Sequence, residues 1–121
     1  MAKAIGPDFI ALQVADIARS TRFYTEQLGL EPADRSPPDA VVFKSLPIPF
    51  AVRKPTVPLE AANRLGWGIS LWISVTDADD LHRTLSAAGV AIVAPPTDGP
   101  FGRFFVISDP DGYTLTLHQA A

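Results

Sequence analysis

Few side chains in this sequence are of the types that carry out catalysis, and their positions suit structural roles. The 121 residues include no cysteine and two histidines, His82 and His118, so disulfides, thiolate nucleophiles and thiolate metal sites are excluded. His118 alone offers a single imidazole, which cannot build the three-ligand site of a catalytic zinc ion. No Gly-x-Ser-x-Gly elbow, Walker loop, Gly-x-Gly-x-x-Gly or His-Glu-x-x-His motif occurs. The sequence therefore nominates no catalytic residue.

Four aspartates stand where structure alone explains them. Asp16 and Asp77 each follow a strand pattern and precede a helical one, so they are predicted N-caps whose carboxylates accept hydrogen bonds from the first helical turn. Asp109 and Asp111 belong to an Asp-Pro-Asp-Gly turn. No acid/base pair emerges from these carboxylates.

The remaining polar residues of interest follow that turn in a predicted β-hairpin over residues 102–118. Alternation along its second strand separates an apolar side, predicted to pack on a core, from a semi-polar side. The semi-polar side is formed by Thr114, Thr116 and His118. What this side faces is the functional question.

The strands and helices that must position this hairpin form a repeat. Residues 9–15 and 68–75 alternate as strands, each is followed by a capping aspartate, and the helices that follow end at Gly29 and Gly89. Shorter strands are predicted near 30–33, 40–44, 48–53 and 90–93, with a proline-rich loop over 95–100. The chain therefore reads as strand, helix and three strands, made twice.

This repeat divides the chain into two modules within one domain of residues 1–121. The first module is predicted over about residues 7–53 and the second over about 67–119, with a proline-rich connector at 54–66. A chain of this length can bury a core without disulfides.

Composition excludes several classes of partner and location. A net charge of −3 and a pI near 5.1, with no cluster of basic residues, argue against nucleic acid. No apolar run approaches the ~20 residues of a membrane helix, and the N-terminal stretch lacks the pattern of a secretory signal. We expect a cytoplasmic protein with neither a membrane nor a nucleic-acid partner.

Two segments resemble the vicinal oxygen chelate superfamily of glyoxalases, bleomycin-resistance proteins and extradiol dioxygenases. Residues 9–30, with their Phe-Tyr and Leu-Gly pairs, resemble the start of its first module, and residues 102–117 resemble the end of its second. The resemblance implies an α+β fold in which two βαβββ modules form curled mixed sheets around a concave cavity, with the helices outside. It also implies a homodimer, the common state of members of this size.

The same resemblance bears on metal binding. Superfamily enzymes hold a divalent metal through His, Gln or Glu at the first residue of each leading strand and near the middle of each final strand. The corresponding positions here are Phe9, Ala51, Ser70 and Thr116, none of which is a usual ligand. Because this sequence departs from the family's pattern at these positions, we expect the family's metal site to be absent and predict no metal or other cofactor.

Strand alternation and the resemblance together assign a set of residues to the cavity. Phe9 and Trp72 are predicted to sandwich a planar ligand, Arg103 to meet an anion at the rim, and Phe105 either to line or to fill the cavity. His118 is either a polar cavity group or a histidine at the solvent edge. The predicted ligand-binding residues are Phe9, Ala11, Gln13, Ala51, Ser70, Trp72, Ser74, Arg103, Phe105, Thr116 and His118.

Three functions are compatible with these residues. The first is a metal-independent protein of the bleomycin-resistance type that sequesters a planar or aromatic small molecule. The alternative is a metal-dependent glyoxalase-like lyase or dioxygenase with displaced ligands, which would use His118, Gln13 or a nearby carboxylate. A third is a scaffold protein whose cavity is filled by its own side chains.

Overall fold

The computed structural model describes residues 2–120 and divides into two compact units between Ala61 and Ala62. Each unit contains a strand, a helix and three strands, as the repeat predicts. The first unit comprises β1 (Ile10–Gln13), α1 (Ile17–Arg22), β2 (Glu31–Pro32), β3 (Ala40–Lys44) and β4 (Phe50–Arg53). The second comprises β5 (Leu71–Val75), α2 (Ala78–Ala87), β6 (Ile92–Gly99), β7 (Gly102–Ser108) and β8 (Thr114–Gln119).

The two units have the same sheet topology. The strand orders are β1-β4-β3-β2 and β5-β8-β7-β6, and in each sheet the leading strand pairs parallel to the last strand while the other pairs are antiparallel. These are two mixed four-stranded sheets of an α+β fold, which confirms the predicted fold class. Within residues 2–120, no helix has the length and apolar character needed to cross a membrane.

Both predicted N-caps begin their helices. The carboxylate of Asp16 accepts a hydrogen bond from the backbone N–H of Arg19 at 3.0 Å, and Asp77 accepts one from Asp80 at 3.0 Å. Each accepted bond satisfies a backbone donor that the first helical turn leaves open. The first helix differs from the regular one predicted, because α1 continues as a π-helical turn over Phe23–Gln27.

The core of the first unit is aromatic. Tyr24 lies 5.1 Å from Phe50 and 5.9 Å from Phe43 between ring centroids, and all three rings are buried. The π-helical turn buries Phe23 beside Tyr24, so consecutive residues of this helix both enter the core. Phe50 thus belongs to the core.

The core of the second unit lies between α2 and one face of its sheet. Leu85 of α2 is fully buried, and so are four sheet residues whose side chains alternate toward the helix. These four are Phe105, Ile107, Leu115 and Leu117. The other face of the sheet is therefore left free of the helix.

Strand β6 is longer than the sequence predicts. Residues 95–100 were expected to form a loop, but β6 continues through Pro95 and Pro96 to Gly99. Its register against β7 shifts at Ala94 and again before Thr97. Prolines are tolerated here because β6 is an edge strand and the shifts spare the missing N–H donors.

The predicted hairpin is present and is held by a buried carboxylate. Ser108 of β7 pairs with Thr114 of β8. Between them, Oδ1 of Asp109 accepts hydrogen bonds from the backbone N–H groups of Asp111 and Tyr113, both at 2.9 Å. Gly112 has a φ of 96°, which an L side chain adopts only with strain.

Candidate functional site

The face of the second sheet opposite α2, here called the distal face, carries a regular array of side chains. The register places Trp72 of β5 beside Thr116 of β8, and Thr116 beside Val106 of β7. One step along, Ser74, His118 and Phe104 form the next row. The sequence predicts four of these residues as neighbours: Trp72, Ser74, Thr116 and His118.

Trp72 is the centre of an aromatic cluster on the distal face. Its ring centroid lies 5.6 Å from His118, 5.7 Å from Phe104 and 5.9 Å from Phe101. These separations are those of favourable aromatic pairs. Trp72 is nevertheless 42% exposed and Phe101 73% exposed, so the cluster offers a supported ring surface that a planar molecule could cover.

His118 brings a polar atom to this cluster. Its Nδ1 atom is buried and has no hydrogen-bond partner within residues 2–120. Buried polar atoms are almost always paired, because an unpaired one forfeits the hydrogen bond it made to water. The His118 imidazole thus brings to the distal face a buried polar atom without a hydrogen-bond partner in the described part of the chain.

Gly99 makes room for one ring of the cluster. A methyl group at Gly99 would lie 2.6 Å from Cε1 of Phe104, which is closer than carbon atoms pack. The absent side chain therefore lets the Phe104 ring take its place beside Trp72.

In the first unit, three predicted site residues share the sheet face opposite α1. Ala11 pairs with Ala51, and Gln13 is one step further along β1. Ala51 is only 2% exposed, and Oε1 of Gln13 accepts hydrogen bonds from the backbone N–H of Thr56 at 2.7 Å and from its hydroxyl at 3.2 Å. Gln13 therefore holds the connector.

Two further predicted residues immediately precede the leading strands. Phe9 comes directly before β1 and is 48% exposed, and Ser70 comes directly before β5 and is exposed. Each stands where the resemblance expects a metal ligand at the start of a module.

The donor chemistry at the expected metal positions does not suit a divalent cation. Phe9 and Ala51 have no donor atom, and the hydroxyls of Ser70 and Thr116 are poor replacements for imidazole and carboxylate. Across residues 2–120, no group of three or more His, Cys, Asp or Glu residues comes together as a metal site.

Two predicted ligand-binding residues of the second unit lie away from the distal face. Phe105 is fully buried in the core, with its ring 5.3 Å from that of His82 on α2, so it has no surface to offer a ligand. The guanidinium of Arg103 donates to Asp79 at 2.9 Å and to Asp98 at 3.1 Å. Both corrections follow from alternation along β7, which turns positions 103, 105 and 107 toward the helix.

The ion pairs of Arg103 change the pKa of its side chain. Hydrogen bonds to Asp79 and then to Asp98 raise the pKa of the Arg103 guanidinium above its ordinary value. The side chain joins α2 to the far end of β6, so its role is structural and not that of an anion site at the rim.

Sequence reasoning missed Phe104, which the structure places in the cluster. Residues 104–107 are all apolar, so periodicity alone does not say which of them face the helix. The hairpin offered the missing signal, because the pairing of Ser108 with Thr114 requires Phe104 to pair with His118.

With this geometry described, comparison with known proteins identifies the family. The sequence profile of the glyoxalase/bleomycin resistance protein/dioxygenase superfamily matches residues 6–117. The chain belongs to this superfamily. A comparison with curated proteins gave no significant match.

Solved structures similar to this chain include proteins that bind antibiotics. The bleomycin-binding protein from Streptomyces verticillus, complexed with copper(II)-bleomycin, is 25% identical with a TM-score of 0.68, and the match covers 100% of both chains. TnmS3, an antibiotic-binding protein from Streptomyces sp. CB03234, is 25% identical with a TM-score of 0.75 over 99% of this chain and 100% of TnmS3. Protein ATC0852 from Agrobacterium tumefaciens is 29% identical with a TM-score of 0.73 over 98% of this chain and 99% of that one.

Proposed function

We propose that this protein is a metal-independent small-molecule binding protein of the bleomycin-resistance type, which sequesters a planar aromatic natural product or drug. The observation that carries the proposal is the partly exposed ring surface of Trp72, which packs against Phe101, Phe104 and His118. A ring that only filled a core would be covered, whereas a partly exposed aromatic group with polar neighbours is typical of a ligand site.

Two further observations support binding over metal catalysis. The superfamily's metal positions carry Phe9, Ala51, Ser70 and Thr116, whose side chains lack the donors that a divalent cation requires. Two similar structures are those of a bleomycin-binding protein and of TnmS3, an antibiotic-binding protein. We propose the same class of ligand for this chain.

Calorimetric and fluorescence titration tests this proposal. The probes are copper(II)-bleomycin, metal-free bleomycin and the planar dye proflavine, with calorimetry as the common readout. The chain has two tryptophans, so in Trp67→Phe the tryptophan fluorescence comes from Trp72 alone and reports ligand binding beside it. For any probe that binds, we expect Trp72→Ala to weaken affinity by at least about tenfold, because both apolar contact and ring stacking are lost.

Trp67→Phe is the matched control, since Trp67 is 77% exposed and precedes β5. It should bind the probes like the unmodified protein. Unchanged affinity in Trp72→Ala, or no binding of any probe by the unmodified protein, would contradict the proposal.

Elemental analysis separates this function from the glyoxalase-like alternative. Protein purified without chelator is expected to contain no stoichiometric Zn, Ni, Fe or Mn, and added EDTA should leave proflavine binding unchanged. One equivalent of any of these metals would favour the metal-dependent lyase or dioxygenase. We also propose a cytoplasmic homodimer, and light scattering of the purified protein tests the dimer.

A further inference from the structure

The environment of His118 restricts how its imidazole can bind a ligand. His118 lies between Ser74 and Phe104 in the register of the second sheet, and its ring is 5.6 Å from Trp72 at an interplanar angle of 63°. Its Nδ1 atom is buried without a hydrogen-bond partner within residues 2–120. Nε2 is the other ring nitrogen and is not among the buried, unpartnered atoms.

The choice of tautomer follows from this asymmetry. A neutral imidazole carries one N–H donor and one lone pair. A buried N–H group without an acceptor is rarer in proteins than an unpaired acceptor, so a proton on Nδ1 would be the less favourable arrangement. Which nitrogen holds the proton is set by what the other can bind. The proton therefore belongs on Nε2.

We infer that His118 donates a hydrogen bond from Nε2–H to an acceptor at the edge of the ligand whose ring lies on Trp72. The inference rests on the proposed function and specifies its ligand, a planar molecule with a carbonyl, phenolate or ring-nitrogen acceptor at its edge.

The other strand positions of the distal face favour this class of ligand. Apart from His118, the positions of β5, β7 and β8 on this face carry no ionisable side chain. They are Trp72, Ser74, Gly102, Phe104, Val106, Ser108, Thr114 and Thr116. A net charge on the ligand would find no opposite charge among them, so selection depends on ring contact and on the hydrogen bond from His118.

A matched pair of probes isolates that hydrogen bond. Anthraquinone-2-sulfonate and anthracene-2-sulfonate share a three-ring plane and a sulfonate, but only the quinone has carbonyl acceptors at its central ring. We expect the unmodified protein to bind the quinone about three- to tenfold more tightly, which is the range of one net hydrogen bond. Trp72→Ala should weaken the binding of both.

Three substitutions of His118 then locate the donor atom. The amide nitrogen of His118→Gln reaches the place of Nε2, that of His118→Asn reaches only the place of Nδ1, and His118→Phe keeps a ring with no donor. His118→Gln should keep most of the preference for the quinone, and the other two should lose it while still binding the anthracene. Thermal melts confirm that each variant folds. If His118→Phe does not fold, the comparison of His118→Gln with His118→Asn is sufficient.

The outcomes separate the two proposals. If Trp72→Ala weakens both probes while all three His118 variants keep the preference for the quinone, the inference is overturned and the proposed function stands. Equal weakening of both probes by every His118 variant would assign the imidazole a packing role and would also overturn the inference. If neither probe binds, the inference fails, whereas the proposed function is decided by the titrations of bleomycin and proflavine.

The tautomer can be measured without a ligand. Two-bond ¹H–¹⁵N spectra at about pH 8 distinguish a protonated from an unprotonated ring nitrogen. His82→Gln leaves His118 as the only histidine and assigns its signals. We expect a protonated Nε2 and an unprotonated Nδ1, and the reverse pattern would overturn the inference.

Discussion

The Phe104 ring occupies the space that a side chain on Gly99 would fill. A methyl group at Gly99 would lie 2.6 Å from Cε1 of Phe104 and 3.0 Å from Cδ1, although Gly99 itself lies in strand β6. The glycine is therefore required by a neighbouring ring, and the same ring supports Trp72 at 5.7 Å.

Gly99→Ala should disturb the aromatic cluster. The added methyl group must displace the Phe104 ring, and overpacking of this kind lowers the free energy of unfolding by about 1–3 kcal/mol. Because Phe104 supports Trp72, binding of proflavine should weaken as well. Urea denaturation and calorimetric titration measure the two effects.

The control for Gly99→Ala is the same substitution in a Phe104→Leu background. A leucine at position 104 leaves the space near position 99 open. Gly99→Ala should therefore lower the free energy of unfolding by less in the Phe104→Leu background than in the unmodified protein. Equal costs in the two backgrounds would show that the contact between Gly99 and Phe104 has no energetic importance.

Substitutions of Phe105 and Phe101 should affect different properties, the first stability and the second ligand binding. Phe105 is fully buried, whereas Phe101 is 73% exposed and adjoins Trp72. Phe105→Ala should lower the free energy of unfolding by about 3–5 kcal/mol through loss of core packing. Phe101→Ala should change the free energy of unfolding by about 0.5 kcal/mol or less and weaken proflavine binding. Denaturation and titration of both variants provide the measurement, and the opposite assignment would contradict the placement of the two rings.

Asp109 should contribute to stability through its hydrogen bonds. It is 5% exposed and accepts two backbone N–H groups at 2.9 Å. Asp109→Ala leaves both donors unpaired and should lower the free energy of unfolding by about 1–3 kcal/mol. Asp109→Asn keeps an acceptor oxygen and should lose less.

The control for Asp109 is Asp34→Ala. The Asp34 side chain is 93% exposed and lies 3.8 Å from Lys44, and exposed ion pairs of this kind contribute little. Its loss should change stability by less than about 0.5 kcal/mol. If chemical denaturation shows the same loss in free energy of unfolding for Asp109→Ala and Asp34→Ala, burial of the Asp109 carboxylate is not the cause of its contribution.

Tyr113 should make the protein less stable in alkali. Burial raises the pKa of the Tyr113 phenol, and the charges of Asp109 and Asp111 add to the increase. A folded-state pKa above the unfolded value, about 10, gives stability that is complete below that pH and is lost as pH rises through the folded pKa. Urea midpoints of the unmodified protein should therefore fall more steeply above about pH 10 than those of Tyr113→Phe. Parallel pH profiles for the two proteins would contradict this prediction.

Much of the fold could be predicted because its signals are local. Asp16 and Asp77 begin helices through bonds within three residues, and Gly29 and Gly89 end them with positive φ. Strand alternation placed Leu115 and Leu117 in the core. The edge strand β6 was only partly predicted, since tolerance of Pro95 and Pro96 depends on their place in the sheet.

The candidate site was less predictable because it depends on pairing between distant strands. Strand alternation together with the family resemblance placed Trp72, Ser74, Thr116 and His118 on one side. Phe105 and Arg103 were assigned to that side without the β7 register, which turns both toward α2. Gln13 was predicted as a ligand group, but its partner is Thr56, 43 residues along the chain.

The amino-acid sequence by itself determined the two-module order and the absence of usual ligands at the superfamily's metal positions, because both depend on residue types at fixed spacings. Only the tertiary structure decided that Trp72 is held by Phe101, Phe104 and His118 while staying partly exposed. The physical reason is that hydrogen-bonded register brings together β5, β7 and β8 from separate parts of the chain. That register, unlike local propensity, is set by which face each strand buries.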